Sequence, residues 1–502
     1  MNGTSFASRA ATGDRRRWFA LGVVCLAQLM IVLDTTIVNV ALPAIQRELG
    51  FGQGSLTWVI NAFLVTFASL LLLAGRLGDL FGRRRVFLAG VTVFTAASLL
   101  CGLAPSQGAL IGARFLQGIG AAMQASVILA IITTEFPQTR DRARAMSAYV
   151  FVAVAGGSLG LLLGGLLTQA LSWHWIFFVN LPIGAMTIAL GRALIPADEV
   201  SGTRARVDWL GSLLVTASLM SVIYAIVQAS AHGWGSSSVL GFGGLAAALM
   251  VMFLVVEVRI ENPILPLRIL RVQGLVSSSV VRGFLVTAMY STFFLGTLYL
   301  EHVLRYGPLQ TGLAFLPWTL TVAALSLGIT ARLVERFGAI RVLITGMLTV
   351  ILGLLLLTTV GPHTSFFPTI FLGYFALGLG IGSAFMPLLT IAMANVPVAD
   401  AGLGSGIVNV SQQISGALGL AVLGTIATNR THAFETAHHP LVASLIAGYH
   451  LAFEIGAVTV AVGILAALAL LRAPQSREPE IVAEREARTH REYVPELERQ
   501  AA

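Results

Sequence analysis

A single aspartate, Asp34, stands inside an apolar run that begins at Trp18. A charged aspartate at the centre of a membrane helix costs about 2.5–3.5 kcal/mol on insertion scales. A carboxylate kept there is expected to face an aqueous cavity, which makes Asp34 a candidate proton- or cation-responsive group. The alternative is a structural acid, hydrogen-bonded to neighbouring helices and to Thr35 and Thr36. Arg114 opens a second polar face, continued at i+3 and i+4 spacing by Gln117, Ala121 and Gln124. Asn409 and Gln413 share one face of a later helix, as do His450 and Glu454. Either pair can line a pathway or tie helices together. His432, His438 and His439 fit no metal-ligand spacing, so no metal site is expected. No Walker A pattern is present, so no ATP-driven step is expected either. No catalytic constellation points to an enzyme and no motif calls for a cofactor.

The elements that must position these residues follow from composition. Of 502 residues, 56% are hydrophobic and 11% charged, with a mean hydropathy of +0.85. A soluble domain carries about 25% charged residues. The apolar runs are roughly 20 residues long and lack period-2 alternation, which predicts membrane-spanning helices rather than barrel strands. Counting them between charged and Gly/Pro-rich breaks predicts an all-α polytopic membrane protein with fourteen spans. Every basic residue is arginine, and 26 of the 31 fall on alternate loops and the two tails. Arginine-rich loops stay inside, so both termini are expected in the cytoplasm. That distribution also argues against a nucleic-acid partner for the net charge of +8. The first apolar run is too long for a signal sequence and is expected to be retained. Cys25 and Cys101 lie inside apolar runs and imply no disulfide.

The chain repeats itself. Gly75-Arg-Leu-Gly-Asp-Leu-Phe-Gly-Arg-Arg-Arg-Val86 matches Ala331-Arg-Leu-Val-Glu-Arg-Phe-Gly-Ala-Ile-Arg-Val342 in the spacing of Arg, Leu, acid, Phe-Gly and Arg-Val. Phe115, Gly118 and Gly120 match Phe375, Gly378 and Gly380, while Gly157 and Gly160 match Gly416 and Gly419. Two parallel six-helix repeats are therefore expected, at 18–195 and 275–471. Two inserted helices lie between them at 208–258, with cytoplasmic tails at 1–17 and 472–502. Parallel repeats around a central site are a transporter architecture.

The segment from Gly75 to Arg85 resembles the cytoplasmic signature of the major facilitator superfamily. The wider set is similar to that superfamily's fourteen-helix drug:proton antiporter branch. Its motifs are Leu33-Asp-Thr-Thr-Ile-Val-Asn-Val-Ala-Leu-Pro43, Arg114-Phe-Leu-Gln-Gly-Ile-Gly120 and Trp173-His-Trp-Ile-Phe-Phe-Val-Asn-Leu-Pro-Ile-Gly184. The resemblance implies proton coupling through Asp34 and Arg114. It also implies a conformational latch at Gly75, Asp79, Gly82, Arg83 and Arg84, with the acid recurring as Glu335. The antiporter motif of the fifth helix reads Gly156-Gly-Ser-Leu-Gly160-Leu161-Leu-Leu-Gly164-Gly165, with leucine where the family has proline. Gln117, Gln124, Asn409 and Gln413 are candidates for the substrate cavity.

The expected function is proton-coupled efflux of small hydrophobic or amphipathic drugs, dyes or antibiotics across a bacterial cytoplasmic membrane. The proton gradient is the driving force, and the substrate, protons and the lipid bilayer are the partners. Given Leu161, the alternatives are a narrow-specificity exporter or importer of one metabolite, or a uniporter.

Overall fold

A chain in lipid must pair every backbone N–H and C=O internally, and the described residues do so with helices alone, without a strand. The computed structural model describes residues 3–51, 56, 58–197, 208–260, 263 and 265–471. The expected tail at 472–502 lies outside the described residues, as does the side chain of Leu161.

In chain order the helices are α1 (Gly3–Leu49), α2 (Trp58–Phe81), α3 (Arg83–Gly102), α4 (Gln107–Glu135) and α5 (Thr139–Ala170). Next come α6 (Trp175–Leu194), α7 (Trp209–His232), α8 (Ser237–Arg259) and α9 (Leu275–Leu298). A segmented stretch α10 (308–337) leads to α11 (Ala339–Leu357), α12 (Phe371–Ala394), α13 (Ala401–Thr436) and α14 (Leu441–Leu470). The first helix begins well before the expected 18, so the part of the N-terminal tail from Gly3 onward is helical; its membrane-capable part is Arg15–Leu42.

Among the described residues, twelve helices are long and apolar enough to cross a membrane, or thirteen if α5 counts as one span; the remaining one of the expected fourteen, α10, is segmented and does not meet that measure as a continuous helix. α10 is broken into Pro308–Ala314, Leu316–Ala324 and Thr330–Phe337, the last two joined by a π turn at Leu325–Ile329. Pro317 supplies no N–H to continue the preceding helix, and the π turn widens the next one. No piece is long enough to cross alone.

Glycine contacts carry the repeat into three dimensions. A Cβ on Gly90 in α3 would lie 2.9 Å from the Gly120 carbonyl of α4, and one on Gly346 in α11 would lie 2.8 Å from the Gly380 carbonyl of α12. Gly118 in α4 meets Phe63 O of α2 as Gly378 in α12 meets Trp318 O of α10, each at 2.6 Å from the would-be Cβ. Gly82 and Gly338 both take positive φ, 98° and 84°, at the sharp connections α2–α3 and α10–α11; side chains disfavour that backbone region. α7 and α8, expected as an insertion, pack on each other, with α7 also against α2 and α13. Leu240, Val251 and Val258 of α8 stay exposed, as lipid-facing residues do.

Candidate functional site

Asp34 points away from lipid into the bundle formed by α1, α3, α4 and α6, and is fully buried. Its carboxylate accepts from Arg114 Nη1 at 2.5 Å and from Gln117 Nε2 at 2.7 Å. Arg114 also donates to Gln117 Oε1 at 2.7 Å and, through Nε, to the Val59 carbonyl at 2.8 Å. Its guanidinium lies 4.5 Å from the centre of the Phe63 ring. Gln117 reaches Ser98 Oγ, which Asn180 Nδ2 also meets at 3.0 Å and which donates to Phe177 O at 2.9 Å. Breaking a buried ion pair by removing one partner typically costs about 3–5 kcal/mol. The pair is a charge-sensitive fastening between α1 and α4. Arg114 is buried, so it does not snorkel to an interface.

A cavity of about 180 Å³ lies between the two halves. α1 supplies Gln28, Thr35 and Thr36, α9 supplies Arg282 and Tyr290, and α13 supplies Asn409, Gln412 and Gln413. One wall is aromatic: Phe293 and Phe315 are 4.6 Å apart between ring centres, and Trp318 stands edge-on to Phe293 at 6.4 Å. The expected Asn409 and Gln413 line the cavity, whereas Gln117 and Gln124 do not. Gln117 is spent on Asp34, and Gln124 is buried away from the cavity, its amide unpartnered among the described residues. A helix face read from spacing does not say which neighbour it meets. Asn409 Nδ2 donates to the Ala125 carbonyl at 3.2 Å, so it joins the halves as well as lining the cavity. His450 is tied to the Val360 carbonyl.

The end of the molecule with the arginine-rich loops is shut where α2 meets α13. A Cβ on Gly75 would lie 2.5 Å from the Gly402 carbonyl, and one on Gly402 would lie 2.5 Å from the Gly75 carbonyl. Asp79 completes the contact: its two oxygens accept the Gly402 and Leu403 N–H groups at 2.8 Å each. These are free donors at the start of α13, where a negative charge is also favoured by the helix dipole. Arg83 holds Asp79 at 3.3 Å, donates to Thr134 Oγ1 at 2.6 Å and reaches the Val398 carbonyl. Arg84 donates to Arg192 O at 2.6 Å. Asp400, which spacing did not single out, pairs with Arg268 at 3.1 Å and with Arg76 at 3.7 Å.

Glu335 does not repeat this geometry. It forms an exposed ion pair with Arg140 at 3.2 Å, at the start of α5. Ala331 stands where the first copy has Gly75.

The glycine stripe of α5 packs on α1 beside Asp34. Would-be Cβ atoms at Gly156, Gly160 and Gly164 meet Val32 at 3.0 Å, the Leu33 carbonyl at 3.2 Å and the Ile37 carbonyl at 2.9 Å respectively; Gly165, next in the motif, is buried. Without a proline in its Gly156–Gly165 motif, α5 still bends by 42° between Arg140–Gly157 and Leu162–Ala170. Kinks also arise at Gly/Ser pairs, and Gly157-Ser158 is one.

Arg282 is the residue whose role spacing missed. It is buried seven positions into α9, on the cavity wall. An arginine inside an apolar run is the signal that singles it out.

The model of the Major Facilitator Superfamily matches residues 24–420, and again residues 279–497. The chain is 40% identical over 465 residues to the puromycin resistance protein pur8 of Streptomyces alboniger, covering 91% of each chain. It is 36% identical to the cephamycin export protein CmcT of Amycolatopsis lactamdurans, covering 82% of this chain and 85% of that one. Among solved structures, the human organic anion transporter MFSD10 aligns with a TM-score of 0.62 at 17% identity, over 90% of this chain and 99% of that one.

Proposed function

The chain belongs to the major facilitator superfamily and is a multi-pass drug-efflux transporter rather than an enzyme; from that premise we propose that it exports small hydrophobic or amphipathic compounds in exchange for protons across a bacterial cytoplasmic membrane. The named roles of its relatives, puromycin resistance and cephamycin export, make antibiotics the first compounds to test. With the arginine-rich loops inside, both termini are cytoplasmic, and the α2–α13 contact closes the cavity toward the cytoplasm.

The buried Asp34–Arg114 pair carries this reading. A proton arriving on Asp34 from outside cancels its charge and removes the attraction to Arg114, which keeps Val59 O and Gln117 as acceptors. α1 is then held less firmly to α4. Because Thr35 and Thr36 of the same helix line the cavity, a shift of α1 alters the substrate site. The close glycine contacts of α5 transmit the shift, since backbones in contact move together. When the cavity opens inward and substrate binds, the proton leaves Asp34 to the cytoplasm and the pair re-forms. A membrane potential of about 100 mV supplies roughly 2.3 kcal/mol per charge, enough for about a forty-fold gradient at 1.4 kcal/mol per decade.

The test uses everted vesicles energised by respiration, to which a panel of antibiotics and dyes is added. Compounds that collapse the proton gradient with wild type and not with Asp34→Asn at equal expression support the proposal. A compound that cells expel through the protein without any proton movement refutes the coupling.

A further inference from the structure

We infer that Arg282 makes the central cavity selective for compounds that carry an oxyanion, a carboxylate above all, on an aromatic or aliphatic body. The inference names the substrate class of the cavity described above and rests on the export reading only for the direction of movement.

Arg282 is 2% exposed and is the sole formally charged side chain among the described residues that line the cavity. Every other lining residue is apolar or a neutral hydroxyl, amide or indole. Its Nη1 donates to Val408 O at 3.1 Å and its Nη2 to Gln412 Oε1, while its guanidinium carbon lies 5.4 Å from the centre of the Phe385 ring. These acceptors are neutral. No carboxylate forms an ion pair with Arg282 among the described residues, and its Nε has no hydrogen-bond partner there. Contrast Arg114, whose charge Asp34 cancels at 2.5 Å.

A buried guanidinium presents five donors in a planar fork; with Val408 O and Gln412 Oε1 as its acceptors, Arg282 has donors to spare beside the cavity that it lines. Desolvating a lone cation is costly, and an incoming oxyanion repays that cost with charge-assisted, often bidentate, hydrogen bonds. Tyr149 and Tyr290 also line the cavity and carry hydroxyls that can donate to the same group. The Phe293–Phe315–Trp318 wall suits the apolar body. A cationic compound in the same place meets like charge in a low-dielectric setting. The competing role for Arg282 is structural, fastening α9 to α13; that role predicts no preference by ligand charge.

The experiment measures binding of pyrenebutyrate, its amide and the matching ammonium, pyrenebutylamine, to the full chain in zwitterionic nanodiscs, with empty nanodiscs subtracted. Trp318 on the cavity wall makes quenching of tryptophan emission a suitable readout. The carboxylate is expected to bind about tenfold more tightly than the ammonium, Arg282→Gln to abolish the preference, and Arg282→Lys to retain part of it. An ammonium that binds as well as the carboxylate, or binding of none of the three, overturns the inference in wild type alone, whether or not a variant folds. A preference that survives Arg282→Gln, or a uniform weakening of all three probes, overturns it too. Carboxylate binding that depends on Arg282 without movement in proteoliposomes leaves the inference standing and removes the export reading. Export that ignores ligand charge does the reverse.

Discussion

Replacing Gly75 by alanine adds one carbon at the place where α2 and α13 touch. That carbon would sit 2.5 Å from the Gly402 carbonyl oxygen, against an ordinary contact of 3.4 Å or more. The obstacle is backbone, so no rotamer relieves it, and the helices must part by about 0.9 Å, the difference between those two distances. The same movement stretches the Asp79 bonds to Gly402 and Leu403 from 2.8 Å to about 3.7 Å, beyond the usual 2.7–3.2 Å range. Hydrogen bonds to a charged group are worth about 1.5–3 kcal/mol each. The closed state therefore loses roughly 3 kcal/mol or more, about two decades in population. The helix itself gains, since alanine is about 1 kcal/mol better than glycine in a helix interior, so overall folding should hold. The assay places a single cysteine at Gln413 on the cavity wall, in a Cys25→Ala, Cys101→Ala background, and labels everted membranes with an impermeant maleimide. Gly75→Ala should raise the labelling rate at least tenfold, whereas Gly112→Ala, with nothing within 4 Å of its Cβ, should not change it. Unchanged labelling in Gly75→Ala would refute the claim that this contact seals the cavity.

Other consequences follow from the charges. Asp34→Asn leaves Arg114 buried without a counter-charge and should cost about 3–5 kcal/mol in stability, measured by thermal unfolding in detergent. Adding Arg114→Gln should recover most of that stability while substrate-driven proton movement stays absent. Glu335→Ala should change stability by less than about 1 kcal/mol, as for other exposed pairs, and leave export within about twofold; a large loss in whole-cell resistance would show that the pair is a working part of the closure.

Much of this architecture could be read from residue order. Apolar runs and arginine placement pointed to membrane helices, and glycine spacing identified contacts that recur in both halves. Asp34 and Arg114 stood out because a charge in an apolar run needs a partner. What could not be read was tertiary. Gln117 shares a face with Arg114, but only packing shows that the face meets Asp34 rather than the cavity. Asp79 and Glu335 occupy equivalent positions in the motif, yet Asp79 accepts from the start of α13 whereas Glu335 pairs with Arg140. The bend in α5 could not be read from the Gly156–Gly165 motif, which has no proline. Arg282 was visible as an intrahelical arginine, but its role depends on α13 and Phe385, far away in the chain.

The most direct measurement of proton-coupled export uses purified protein in proteoliposomes, oriented by protease protection of the arginine-rich loops. A pH gradient is imposed and the movement of a compound that the protein excludes from cells is followed together with internal pH. The account predicts that wild type moves compound and protons in opposite directions, that collapsing the gradient stops net accumulation, and that Asp34→Asn still equilibrates the compound without moving protons. Accumulation by Asp34→Asn equal to wild type under the same gradient would contradict it.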